Sequence, residues 1–233
     1  EILNSRKLEP VHIHISEQQK EVEDFQNNYG KRPVNWLIDN VNVDSRWCLV
    51  HSTHMHPEEI DKLAKSGAVA GLCPVTEANL GDGIFNGSKY ISSGGKYGIG
   101  TDSNVSISLT DELRMLEYMQ RLYNKERNVM TNSSESVGES LYKSTLVGGN
   151  QALSRNSGII ASGQWADLLT LDSDALAFLS SSEYEILDRW IFSSNDSLVR
   201  EVWSAGRLVV VDGRHFKHEQ IEKRYRNIIR QLC

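Results

Sequence analysis

Apolar and polar residues alternate in the first regular stretch of the chain. Val11, Ile13 and Ile15 alternate with His12 and His14. A period of two predicts a β-strand with both histidines on one face and the three aliphatic side chains on the other. The first predicted element is therefore a strand that brings imidazoles to its end.

Strands and helices alternate over the next hundred residues. Val22 and Phe25 lie three apart in an otherwise polar run, which predicts a helix over residues 18–28. Pro57 predicts the start of another helix and Gly67 its end. Four strand-then-helix units predict parallel strands joined by right-handed crossovers. The predicted strands are residues 11–15, 47–51, 68–72 and 97–102.

Residues 73–83 are polar and contain two glycines, Gly81 and Gly83. This composition predicts a surface loop at the exit of the third strand, where functional residues often lie. Glu77 and Asp82 are expected to be solvated carboxylates there.

The pattern changes beyond Gly158. Short apolar stretches around glycine turns predict an antiparallel module, with a hairpin that includes an Asp212-Gly213 turn. Ile221, Tyr225 and Ile228 then follow at helical spacing and predict a closing helix. The predicted strands of this module are residues 165–172, 199–204 and 207–211.

Composition narrows the class of protein. The 233 residues are 39% hydrophobic and 24% charged, and 25 Lys plus Arg against 31 Asp plus Glu give a net charge of −6. We expect no nucleic-acid partner, because no basic run is present. We expect no membrane partner, because the apolar stretches are shorter than the roughly 20 residues that span a bilayer. Cys48, Cys73 and Cys233 form neither a paired framework nor a CxxC site, which favours the reducing cytoplasm.

Ionisable residues stand at the ends of successive predicted strands. His14 with Glu17, then His51, then Asp102 occupy these positions. In parallel α/β barrels the reactive residues lie at the C-terminal ends of the strands. A histidine with a carboxylate three residues later supplies a metal ligand and a nearby proton carrier.

Plainer interpretations stand beside this one. Strand histidines are often ordinary half-buried residues, and Asp102 could be a turn or helix-capping residue. His54 and His56 could be solvated loop histidines. The cysteines fit small buried hydrophobes better than ligands or nucleophiles.

These residues resemble the amidohydrolase superfamily, in its branch of aminohydrolases that release ammonia from an imine or amidine carbon. By this resemblance His14 is the metal-ligand histidine of the fifth barrel strand and Glu17 the proton shuttle. His51 is then the sixth-strand histidine that polarises the substrate. Asp102 is the eighth-strand aspartate that binds the metal and takes a proton from its water.

Three segments look closely like those of the formimidoylglutamate deiminases within this branch: His12 to Gln18, the Cys73-Pro74 dipeptide with residues 76–83, and Thr101 to Asn104. The resemblance implies hydrolysis of N-formimino-L-glutamate to N-formyl-L-glutamate and ammonia in histidine degradation. It implies one divalent metal ion, zinc first, with iron or manganese also suitable. We expect a homodimer in the full-length form. Substrate-pocket residues expected by position are Glu77, Asn79 and His54.

One departure limits the resemblance. The superfamily's first strand carries a histidine-any-histidine pair in a different context from that of His12 and His14, and a barrel takes about 250 residues. We therefore expect the C-terminal half of a metal-dependent (β/α)8 barrel, with part of a small β-sandwich and a C-terminal helix. The expected parts are barrel units five to eight at 1–155, the β-sandwich portion at 156–215 and the helix at 216–233.

Two other functions remain open. The chain could belong to another aminohydrolase, such as a purine-type deaminase or a chlorohydrolase. It could instead be a catalytically silent folding or interaction module. Metal content separates the silent module from the enzymes, and a panel of substrates separates the enzymes from one another.

Overall fold

The computed structural model describes residues 9–131 and 134–232. Cys233 lies outside the described residues. The first part of the chain alternates strands with helices, and the second part is mostly antiparallel strands. The elements are β1 (Val11–Ile15), α1 (Gln19–Tyr29), α2 (Pro33–Asn40), β2 (Trp47–His51), α3 (Pro57–Ser66), β3 (Val69–Leu72), α4 (Pro74–Leu80), α5 (Gly87–Ser92), β4 (Lys96–Ile99), α6 (Leu109–Asn124), α7 (Val137–Ala152), β5 (Leu168–Leu171), α8 (Ile186–Ser193), β6 (Val199–Ser204), β7 (Arg207–Val211), β8 (Arg214–His215) and α9 (His218–Leu232). Three short 3-10 helices, Leu176–Phe178, Glu183–Glu185 and Asp196–Leu198, flank α8.

Strands β1 to β4 form a parallel sheet whose order follows the chain. The register pairs His14 with Val50 and Ile15 with His51, so the carboxyl ends of β1 and β2 lie side by side. Strand β4 pairs with β3 in the same direction. All four strands therefore deliver their last residues to one edge of the sheet.

The main core lies between one face of this sheet and its helices. The sheet contributes Leu49, Ala70, Leu72 and Tyr97, all almost fully buried. Helices α3, α6, α7 and α8 cover these residues with apolar side chains. These include Ile60, Leu63, Leu113, Leu116, Leu141 and Ile191.

Helix α7 lies unusually close to β4. A Cβ added to Gly148 would sit 1.9 Å from the carbonyl oxygen of Tyr97, so no larger residue fits without a backbone shift. A Cβ added at the neighbouring Gly149 would meet nothing within 4 Å. At the end of this helix the Ala152 carbonyl pairs with His12 Nε2 at 2.8 Å. The helix thus closes against both β4 and β1.

The second sheet is antiparallel in the order β5-β6-β7-β8. Tight turns join β6 to β7, through Ala205 and Gly206, and β7 to β8, through Asp212 and Gly213, with all four residues at positive φ. Two-residue hairpins of this kind need positive φ at both central residues, and Asp-Gly is one of the pairs that favour it. The Asp212-Gly213 turn predicted from the sequence is present. Helix α9 follows with its apolar stripe exposed.

The fold class predicted from the sequence is confirmed, since a parallel and an antiparallel sheet occur in the expected order. Two local expectations were wrong. Residues 73–83 are not a surface loop, because Pro74 begins helix α4 and Gly81, at φ 72°, ends it. Helix α8, inside the expected β-sandwich portion, was not predicted, and it packs against α6 and α7.

No helix among the described residues is long and apolar enough to cross a bilayer.

Candidate active site

Side chains from three strand ends meet at one edge of the parallel sheet. Nε2 of His51, the last residue of β2, lies 3.7 Å from the Glu17 carboxylate and 3.6 Å from the Asp102 carboxylate. The ring of His14 is 5.4 Å from that of His51, centroid to centroid. The structure therefore brings together the four residues that the strand-end pattern singled out.

The backbone turns sharply where these residues leave the sheet. Ser16, His51, Ser52 and Asp102 all have φ between 51° and 66°. Residues other than glycine rarely adopt this left-handed region, and such positions cluster at functional sites. The Ser52 N–H donates to the Ile15 carbonyl at 3.1 Å, which holds the end of β2 against β1.

His51 is 1% exposed and has a carboxylate on each side of its ring. Its Nδ1 lies 3.3 Å from Oε1 of Glu77, which is 2% exposed. Burial alone would lower the pKa of His51, but the carboxylates of Glu77, Glu17 and Asp102 outweigh it and raise that pKa. The site therefore favours a proton on this ring.

Glu17 is anchored through its backbone. Its N–H and that of Ser16 each donate to the Glu21 carboxylate at 2.8 Å. Burial raises the pKa of the Glu17 carboxyl. His51 opposes the rise, and the hydrogen-bonded Asp82 carboxyl adds to it. Glu17 is thus disposed to hold a proton more readily than a solvated carboxyl.

Asp102 stands on the segment that leaves β4. The Gly100 N–H donates to the Leu72 carbonyl at 2.9 Å. The hydroxyl of Thr76 donates to the Thr101 carbonyl at 3.1 Å, which ties this segment to α4. Asp102 itself is only partly covered, with 27% of its side chain exposed.

The residues expected to line a pocket have different surroundings. Glu77 lies behind His51, and Asn79 is exposed on α4. His54 Nε2 pairs with the Asp82 carbonyl at 2.6 Å. The expectation that Glu77 and Asp82 are solvated carboxylates was wrong, because both are buried. Asp82 is 9% exposed and Glu77 is 2% exposed. His56 directly precedes helix α3, and its N–H donates to the Glu59 carboxylate.

The donor atoms at this edge suit a zinc ion in type. His51, Cys73 and Asp102 each offer one ligand atom, and these atoms lie within 4.8 Å of one another. Imidazole, carboxylate and thiolate groups all bind zinc. Burial raises the pKa of the Cys73 thiol, and the nearby carboxylates raise it further. In the described ranges His14 does not fall within this close group.

Reasoning from the sequence named Glu77 as a pocket candidate but missed two contacts of this site. The pairing of Glu77 with His51 joins residues 26 apart, and the bond from Thr76 to Thr101 joins residues 25 apart. A signal for both was present. A proline shortly after a strand and a glycine seven residues later mark a short helix. A proline and a glycine also bounded α3, which was correctly predicted.

Comparison with known proteins places this geometry in a family. The amidohydrolase family model matches residues 5–209. The chain is 50% identical over 224 residues to formimidoylglutamate deiminase of Pseudomonas aeruginosa, covering 96% of this chain and 49% of that protein. It thus spans about half the length of this relative.

Solved structures agree. An amidohydrolase from Brucella melitensis superposes with a TM-score of 0.94 at 45% identity, covering 99% of this chain and 51% of that one. An adenosine deaminase from Xanthomonas campestris with bound zinc superposes with a TM-score of 0.84 at 24% identity, over 99% of this chain and 53% of that one. The second likeness concerns the fold alone. With a parallel sheet, ionisable strand ends and a family match over most of its length, the chain belongs to the amidohydrolase family.

Proposed function

We propose that this site takes part in the hydrolysis of N-formimino-L-glutamate to N-formyl-L-glutamate and ammonia, in a metal-dependent enzyme. The main observation behind this proposal is that Glu17, His51 and Asp102 lie together. Both carboxylates are within 3.7 Å of His51 Nε2. The 50% identity to a formimidoylglutamate deiminase supports the choice of substrate.

The charge of the site suits this substrate. The formimino group is an amidine and carries a positive charge near neutral pH. Glu17 and Asp102 face the position that it would occupy, and Glu77 and Asp82 lie close behind. Carboxylates around a partly buried site attract a cation.

His14 and Asp102 are the residues proposed to hold a zinc ion. When bound, the ion supplies Lewis-acid activation of a water molecule. One further protein ligand is usual at a catalytic zinc site. In the proposal it comes from the half of the family's structure that this chain does not match.

The proton transfers fall to three side chains. Asp102 accepts a proton from the attacking water, and Glu17 delivers a proton to the nitrogen that leaves as ammonia. His51 stabilises charge on the substrate nitrogen or on the forming intermediate through Nε2. One water is consumed, its oxygen becomes the formyl oxygen, and the carbon–nitrogen bond to the terminal nitrogen breaks.

A hybrid enzyme tests this function. In it, the chain replaces the matching half of the Pseudomonas aeruginosa relative. We expect the zinc-loaded hybrid to release ammonia from N-formimino-L-glutamate and to lose this activity when a chelator removes the metal. Ammonia release from adenosine, or chloride release from a chlorotriazine, without activity on N-formimino-L-glutamate would contradict the proposal. A folded hybrid that binds no metal and turns over none of these compounds would favour the silent module.

The state of the cysteines bears on location. Cys48 and Cys73 are free and buried. Free thiols are common in proteins of a reducing compartment, so we propose that the enzyme works in the cytoplasm.

A further inference from the structure

We infer that Glu77 is a positioning residue that fixes the ring of His51, and that helix α4 holds Glu77 in place for this purpose. The inference rests on the proposed function only for its effect on turnover. The contact between the two side chains is a property of the fold and is tested separately.

The geometry defines which nitrogen carries a proton. Oε1 of Glu77 lies 3.3 Å from His51 Nδ1 and accepts the Cys73 N–H at 3.0 Å. A carboxylate is an acceptor only, so the nitrogen that faces it must donate. Because both side chains are almost completely buried, water does not compete for either group. His51 is therefore held with a proton on Nδ1.

This assignment fixes what the other nitrogen does. With Nδ1 directed at Glu77, Nε2 points to Glu17 and Asp102, at 3.7 Å and 3.6 Å. A ring rotated by 180° about its Cβ–Cγ bond would present the carbon Cε1, which has no proton to exchange, to the carboxylates of Glu17 and Asp102. A carboxylate behind a functional histidine fixes ring orientation and tautomer in this way.

One short helix aligns both sides of the site. Pro74 begins α4. The Cys73 N–H donates a hydrogen bond to the Glu77 carboxylate and holds it against the start of this helix. From the same helix Thr76 donates to the Thr101 carbonyl, next to Asp102. Helix α4 therefore links the end of β2 to the segment after β4.

Glu112 provides a matched control. It is another fully buried glutamate that touches α4, since its Oε2 accepts the Val75 N–H at 2.9 Å. None of its hydrogen bonds reaches the reacting side chains among the described residues. Glu112→Gln removes a buried carboxylate beside the same helix and leaves the hydrogen bonds between Glu77 and His51 and between Glu77 and Cys73 in place.

Proton NMR of the 233-residue chain tests the contact directly. We expect a far-downfield, slowly exchanging imidazole N–H resonance from His51 Nδ1. Glu77→Gln should move it upfield, because a neutral acceptor forms a weaker hydrogen bond, and Glu77→Ala should abolish it. Glu112→Gln should leave it in place. An unchanged resonance in Glu77→Ala, or no such resonance in the wild-type chain, overturns the inference.

Kinetics of the hybrid enzyme test the consequence. We expect Glu77→Gln to lower kcat by about 10- to 100-fold with KM nearly unchanged, because Glu77 acts through His51 and not on substrate. Glu112→Gln should keep the parent kcat. A change in KM alone would mean that Glu77 binds substrate and would overturn the inference. If the parent hybrid is inactive on N-formimino-L-glutamate, the proposed function fails, while the NMR experiment still decides the role of Glu77.

Discussion

The parallel sheet β1–β4 and the antiparallel sheet β5–β8 both carry non-glycine residues in left-handed backbone at their strand ends. His51 ends β2 with φ 66°, while Ala205 and Asp212 follow β6 and β7 with φ 52° and 47°. In the antiparallel sheet these residues make hairpin turns. At the parallel edge the chain turns aside, and the side chains of neighbouring strand ends face one another.

Burial separates the two sheets further. Four of the five residues of β2 are buried, whereas no residue of the described strands β5–β8 is. At a buried strand end an ionisable group has fixed neighbours and a shifted pKa. At an exposed turn it has neither. Similar backbone geometry therefore has different consequences in the two sheets, because packing shields His51 from water and leaves the hairpin turns largely exposed.

Removing an ionisable group at a strand end tests this contrast most strongly. In the hybrid enzyme Asp102→Asn and Glu17→Gln should each lower kcat by about 10²–10⁴-fold, because each removes a proton carrier. Asp212→Asn, at a turn of the antiparallel sheet, should leave kcat unchanged. Steady-state ammonia release, with circular dichroism to check folding, measures all three. Equal losses at Asp212 and Asp102 would break the comparison.

Adjacent glycines test how tightly the parallel sheet is packed. Gly148→Ala should destabilise the chain by roughly 1–3 kcal/mol or more, because its new methyl group meets the Tyr97 carbonyl. Gly149→Ala should be neutral or stabilising by up to about 1 kcal/mol, since the space is open and alanine favours helix. Urea unfolding measures both. Similar losses at the two positions would show that α7 does not lie so close to β4.

A buried carboxyl beside α4 should make stability fall as pH rises. Burial raises the pKa of Glu112 to about 7, from 4.5. The folded chain therefore binds more protons than the unfolded chain between these values, and stability declines across that range. Glu112→Gln should remove this decline and be more stable at pH 8 by on the order of 2–3 kcal/mol. The free energy of unfolding, measured from pH 5 to pH 8, decides it. Parallel curves for the two proteins would refute the shift.

Next to the antiparallel sheet, a carboxyl group should make stability fall as pH decreases. The hydrogen-bonded ion pair with Arg155 lowers the pKa of Asp167 to about 2. The Ala205 N–H, which donates to the same carboxylate, contributes to this shift. A lowered folded-state pKa stabilises the chain above the unfolded value near 3.8, and this contribution disappears as pH falls toward 2. Because the group is exposed, the effect should be small. Asp167→Asn should flatten acid unfolding in this window, and an unchanged acid midpoint would contradict the assignment.

Hydrophobic patterning was sufficient for the elements with strong periodicity. The alternation around His14 and the apolar runs ending at His51 and Leu72 predicted the parallel strands, because both are patterns of the local sequence. Helix α8 was missed because it is short, and its burial of Trp190 and Ile191 depends on α6 and α7 being in place.

The features of the site also divide into those that the sequence predicted and those that it did not. His14, Glu17, His51 and Asp102 could be proposed from their positions at strand ends. The partner of His51 could not, because it depends on where α4 begins. A shift of one residue in that start would rotate Glu77 by about 100° around the helix axis. Pairings between separate elements require the three-dimensional arrangement.

The order of the parallel sheet has a consequence for how the protein is made. Val11 pairs with Trp47, Cys48 with Val69 and Val69 with Lys96, spacings of 36, 21 and 27 residues along the chain. Closing loops of this length costs little extra conformational entropy as each strand is added. A ribosome releases the strands in the order in which they pair. Each strand can therefore pair with the preceding strand as it emerges, and the order of pairing requires no later strand.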